Sequence, residues 1–79
     1  MNINTYLRRK YGVETPTTMT AREARTLGIP YPLRSGWLDE HGARQITISQ
    51  ANRLHQQFVD ADGDFAARAR VALLEVIEG

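Results

Sequence analysis

The side chains in this sequence best suited to recognition chemistry are arginines. Arg22 and Arg25 lie three residues apart, and Arg34 and Arg44 follow at intervals of nine and ten. Nine of the ten basic residues are arginine. A planar guanidinium donates paired hydrogen bonds to a phosphate or a base edge, which a lysine ammonium does not match. The charge is also unevenly placed. Residues 1–35 carry six basic and two acidic side chains, and residues 36–79 carry four basic and seven acidic ones. The net +1 of the chain therefore conceals a +4 half and a −3 half. That asymmetry fits an anionic partner on one side, and it fits a solvated mixed-charge surface as well.

Other chemistries find little support. Asp60, Asp62 and Asp64 suggest a calcium loop, but a loop starting at Asp60 needs glycine at its sixth position and glutamate at its twelfth. Phe65 and Val71 stand there. The cluster reads instead as a turn between helices. His41 and His55 fall on different expected elements, with no third ligand at metal spacing. Ser35 and Ser49 lack the setting of a strained nucleophile turn or an oxyanion loop. There is no cysteine, hence no disulfide, thiolate or cysteine zinc chemistry. No catalytic residue, metal or cofactor is expected, and the chain reads as non-enzymatic.

The elements that must position the arginines follow from periodicity and punctuation. Ile3, Tyr6, Leu7 and Tyr11 share one face of a helix over 3–11, with Arg8, Arg9 and Lys10 mostly off it. Gly12 stops it. Thr20-Ala21-Arg22-Glu23 is a capping box opening a helix over about 21–27, with Ala24 and Leu27 inward and Gly28 as its end. Pro32 suits the first turn of a helix over about 32–40, with Leu33 and Trp37 inward. Trp37 is expected to be mostly buried against Leu33, Leu27 and Leu54. Gln45-Ile46-Thr47-Ile48 is strand-like. Thr47 or Ser49 caps a helix to about Val59 that buries Ala51, Leu54 and Phe58, with His55 at its boundary. Asp62 or Asp64 caps a last helix to about Glu78. Its stripe of Phe65, Ala69, Ala72, Leu73, Val76 and Ile77 faces inward, and Leu74 widens it beyond the needs of one core.

Thr20 to Ile29, read as a capping threonine, Glu-Ala and Leu-Gly-Ile, resembles the opening of MerR-type and phage excisionase-type winged-helix domains. Leu33-Arg34 followed by Trp37 is similar to their Leu-Arg-aromatic recognition helix. Arg44, Ile46, Thr47 and Leu54 fall where those families place a wing arginine, a strand residue, a helix cap and a core leucine. The resemblance covers residues 20–54. Pro32 shortens the recognition helix, and the helix over 3–11 is an addition. The resemblance implies a helix that braces on the DNA backbone and a second that enters the major groove. Tyr31, Arg34 and Ser35 would then face bases, and Arg22, Arg25 and Arg44 would meet phosphates.

Seventy-nine residues allow one domain. The expected fold is mainly α, with four to five short helices, a helix-turn-helix-like core over 20–59 and at most a minimal β wing. A helix over 3–11 precedes that core and one over 64–78 follows it. No apolar run approaches the ~20 residues that cross a bilayer, and Met1 to Tyr6 has no signal-peptide core. A cytoplasmic protein without a membrane partner is expected. The expected function is binding of double-stranded DNA, as a phage or mobile-element regulator of transcription or an accessory factor, with a possible homodimer through the last helix. The alternative is a small adaptor or inhibitor, such as a phage anti-host protein, that grips a protein partner through Tyr31, Arg34, Trp37 and the basic half. Exposed aromatics and arginines dominate such interfaces.

Overall fold

Five helices form, in the order α1 (Ile3–Tyr11), α2 (Ala21–Leu27), α3 (Trp37–His41), α4 (Ile48–Phe58) and α5 (Asp64–Glu78). The computed structural model describes all residues from Met1 to Gly79. The fold is mainly helical, with a single antiparallel β-bridge between Asn2 and Gln45.

Local chemistry sets most of the boundaries. Asn2 accepts the amide of Thr5 through Oδ1 at 2.7 Å and so caps α1. Both capping boxes close as their sequences require. Thr20 Oγ1 accepts the Glu23 amide at 3.1 Å while the Thr20 amide donates to Glu23 Oε1 at 3.0 Å. Thr47 and Gln50 repeat the exchange at the start of α4, both bonds at 3.0 Å. Gly28 ends α2 at φ 73°, a left-handed conformation that glycine adopts without a Cβ penalty. Helix α5 differs from expectation in one detail. Gly63 occupies the cap position without a side-chain hydrogen bond, and Asp64 is the first helical residue.

The core lies between α1, α4 and α5, with α2 closing over α4. Ile3, Tyr6, Leu7, Leu27, Leu54 and Leu73 are fully buried in it. Ala69 and Ala72 on α5 and Ala51 on α4 are buried as well. Such small side chains let helix axes approach closely. Phe65 is mostly exposed rather than inward, and its ring meets the edge of Tyr11 at 5.1 Å.

The largest departure from the sequence reading lies between α2 and α4. The helix expected over 32–40 is reduced to the five residues of α3, which starts only at Trp37. Residues 31–36 form no helix: the chain bends at Tyr31 and Pro32 and turns at Ser35 and Gly36, and the Tyr31–Pro32 peptide bond is cis. Pro30 and Pro32 remove two amide donors and bias Ile29 and Tyr31 away from helical dihedrals. Gly36 then sits at φ 85°, outside the right-handed helix. Trp37 is accordingly half-buried at the edge of the core instead of sealed within it, and α3 buries no residue fully.

The strand expected over 45–48 is also shorter. Helix α4 already begins at Ile48, and Gln45 makes only the bridge. The backbone nonetheless pairs with the N-terminal residues. Ile3 N–H donates to the Arg44 carbonyl at 3.0 Å, Asn4 N–H to that of Gly42 at 2.9 Å, and Ile46 N–H to that of Met1 at 3.0 Å.

Candidate nucleic-acid interface

Helix α2 has two faces of opposite character. Glu23, Ala24 and Leu27 are buried, while Arg22 and Arg25 are exposed. Three residues correspond to nearly one turn, so the two guanidiniums start from neighbouring positions on the free face. What anchors that face is a knot of polar side chains beneath it. The Glu23 carboxylate accepts Lys10 Nζ at 2.7 Å and Tyr6 Oη–H at 2.6 Å, besides the Thr20 amide. Glu23 and Lys10 are almost wholly sealed from solvent. Lys10 Nζ also lies 4.3 Å from the Phe58 ring centroid and 4.9 Å from that of Tyr11, within reach of their electron-rich faces. Burial, and next the charge of Glu23, pushes the Tyr6 hydroxyl far above its ordinary value and that of Tyr11 up to about 12.

Sequence reading misses this knot. It sets Lys10 off the apolar face and treats Glu23 as a cap alone. The signal is present: Ile3, Tyr6, Leu7 and Lys10 follow the spacing of one helical face, and all four are buried.

The five arginine and tyrosine positions singled out by the sequence do not form one cluster. Arg25 and Tyr31 come together around a shallow depression of about 210 Å³, which Ala21 and Ile29 complete. Tyr31 is 54% exposed there. Arg34 and Ser35 border a second depression, of about 460 Å³, with Trp37 and Pro16 in its walls. Arg44 is engaged within the fold, donating through Nη2 to the Leu27 carbonyl at the end of α2. It acts there as a brace between α2 and the segment before α4. Gln57 Nε2 makes a further link to Thr26 Oγ1 at 2.8 Å. Arg22, Arg25 and Arg34 pair with no carboxylate, as do exposed Arg8, Arg53 and Arg68, whereas Arg9 meets Glu75 and Lys10 meets Glu23. His41 lies 3.8 Å from Glu40 of its own helix, and no three His, Asp or Glu side chains converge.

No family model, curated protein or solved structure matches the chain. Fold and surface therefore define a small all-helical domain with an arginine-bearing helix face. No helix is long and apolar enough to cross a membrane.

Proposed function

We propose that the protein is a small non-enzymatic domain that binds double-stranded DNA, as a regulator or accessory factor of a phage or other mobile element. One observation carries this reading: Arg22 and Arg25 stand one turn apart on the free face of α2, exposed and without a carboxylate partner, and Arg34 is exposed and unpaired on the segment after it. Arginines left unpaired in this way are free to replace the counterions of a phosphate backbone. Arg22 and Arg25 take phosphates from a helix whose other face is pinned by the Glu23 knot. The irregular segment over 31–36 carries Tyr31 and Arg34 towards a groove, in place of a reading helix. Arg44 contributes mainly by holding the end of α2.

The test is a mobility shift with random duplex DNA across salt concentrations. Each phosphate contact adds about 0.9 to the slope of log affinity against log salt. Arg22→Ala and Arg25→Ala are each expected to flatten the slope by about one and to weaken all sequences alike. Arg34→Ala is expected to cost ~1–3 kcal/mol at one base pair of a selected site and little on random DNA. Absence of salt-dependent affinity at low ionic strength overturns the reading.

A second reading has its own support. Tyr31 and Arg34 are presented on the irregular segment between α2 and α3, and Arg34 shares a depression with half-buried Trp37. That arrangement suits anchors for a protein partner. Under it, Tyr31→Ala abolishes capture of the partner, and DNA affinity is absent from the start.

A further inference from the structure

Helix α5 turns Ala69, Ala72 and Leu73 into the core and leaves a second apolar stripe outside. Ala67, Val71 and Leu74 follow one another at four and three residues, and Glu78 comes four further on. This alternation of four and three is the spacing of a helix-pairing seam. Val71 is 64% exposed and Leu74 37% exposed. Both lie outside the buried cluster and the partly buried residues around it. Two shallow depressions, of about 370 and 410 Å³, share Val71 and Glu75 as walls. The first reaches Arg9 and Arg68, and the second reaches Leu74, Glu78 and Gly79.

We propose that this face binds a second copy of the chain through an antiparallel two-fold pairing of α5 with α5. Charge selects both the partner and the direction. Arg68 and Glu75 each stand one position after a stripe residue, so they occupy the same flank of the seam two turns apart. In an antiparallel pair that flank meets itself. Arg68 of each copy then lies beside Glu75 of the other, and the contact forms twice. Val71 of one copy packs on Leu74 of the other between them. A parallel pair sets this flank against the opposite one, which gives Arg68 no carboxylate and offers Glu75 only Arg70, already held by the Phe58 and Ala61 carbonyls of its own chain. Glu75 already meets Arg9 of its own chain, but that contact is about half exposed and leaves the carboxylate open to a second guanidinium.

A 15-residue helix is only ~22 Å long. Its seam is therefore smaller than a standard interface, and the dimer is a weak one, with a dissociation constant on the order of 100 µM. Arg22, Arg25 and Arg34 lie outside the paired face, so pairing does not depend on DNA binding, and the two readings fail separately.

Sedimentation equilibrium of the full chain without DNA, from roughly 10 µM to 1 mM, tests the pairing. A reversible monomer–dimer equilibrium is expected. Val71→Glu is expected to raise the dissociation constant at least tenfold with helicity and melting temperature unchanged, because the side chain is exposed. Arg68→Glu weakens the dimer, and adding Glu75→Arg restores it. The chain has no native cysteine, so single-cysteine variants report the direction. A mixture of Ala67→Cys and Glu78→Cys, oxidised at dimer-forming concentration, is expected to give the mixed disulfide in excess of the Glu78→Cys self-pair. A monomer throughout the range overturns the proposal. So does a dimer indifferent to Val71→Glu, or a Glu78→Cys self-pair in excess.

Discussion

At the junction of α1 and α2 ionisable side chains hold the structure together from inside. Glu23, Lys10 and Tyr6 are sealed from water and satisfy one another. Between α2 and α4, over residues 29–45, no charged side chain is buried. Backbone hydrogen bonds to the N-terminal residues, the Arg44 brace and glycines hold that segment instead. The first region fixes where α2 lies, and with it the direction of Arg22 and Arg25. The second leaves Tyr31 and Arg34 on irregular backbone. A buried polar knot tolerates little change, because each member depends on the others. A segment braced by its backbone tolerates side-chain change and is sensitive to bulk at its tight points.

The sharpest way to break this contrast is to remove one charge from the knot. Glu23→Gln leaves the Lys10 ammonium buried without a counter-charge, and a loss of ~3–5 kcal/mol is expected in urea unfolding. That is much of the ~4–12 kcal/mol stability of a chain this small. Combining it with Lys10→Met removes both charges and is expected to recover most of the loss, since the introduced amide oxygen can accept from the Thr20 amide while its NH2 donates to the Tyr6 oxygen. A double variant as unstable as the single one would show that shape, not charge, makes the knot.

Alkali probes the same region without mutation. Both tyrosines have folded values raised above their unfolded ones, so the folded state holds the proton more tightly. The stability they contribute is complete below pH 10 and is lost as pH rises through about 12 for Tyr11, with Tyr6 extending the loss further. Thermal melts between pH 9 and 12 should show a falling midpoint, and the ultraviolet absorbance of tyrosinate should grow together with unfolding. A midpoint constant across that range would remove Tyr6 from the buried network.

Two truncations compare the regions directly. Leu54→Ala, in the centre of the core, is expected to cost ~2–5 kcal/mol. Trp37→Ala, at the half-buried edge, should cost about 2 kcal/mol, below the range for a sealed tryptophan. Equal losses would mean that the 29–45 segment is as tightly packed as the helices.

The backbone of that segment gives the last comparison. A Cβ at Gly42 would overlap the Leu38 carbonyl oxygen and come within 2.9 Å of Leu38 Cδ1. Gly42→Ala is therefore expected to cost ~1–3 kcal/mol in chemical unfolding. Gly36→Ala meets open space and is penalised only by its left-handed φ, at ~1–2 kcal/mol. If Gly42→Ala were neutral, the turn into α4 would be looser than its geometry states.

Short-range chemistry makes much of this readable from residues alone. Both capping boxes, the end of α2 at Gly28 and the extent of α4 and α5 depend on neighbours within four positions. The shortened helix at residues 31–36 is only half visible. Pro32 and Gly36 announce a weak helix, but propensity alone does not say that turns will replace it. Lys10 and Glu23 show the opposite limit. Each type belongs on a surface by default, and whether a charge is buried depends on what stands across from it. Lys10 and Glu23 are thirteen residues apart, and Phe58 lies far along the chain. Arg44 looks as free as Arg22 in the sequence, and only the arrival of the Leu27 carbonyl beside it turns it into a brace. The sequence determined which helices can start and stop, because caps and periodicity act locally. The tertiary structure decided which charges are locked and which stay exposed and unpaired, because burial and ion pairing depend on segments that meet only when the chain folds.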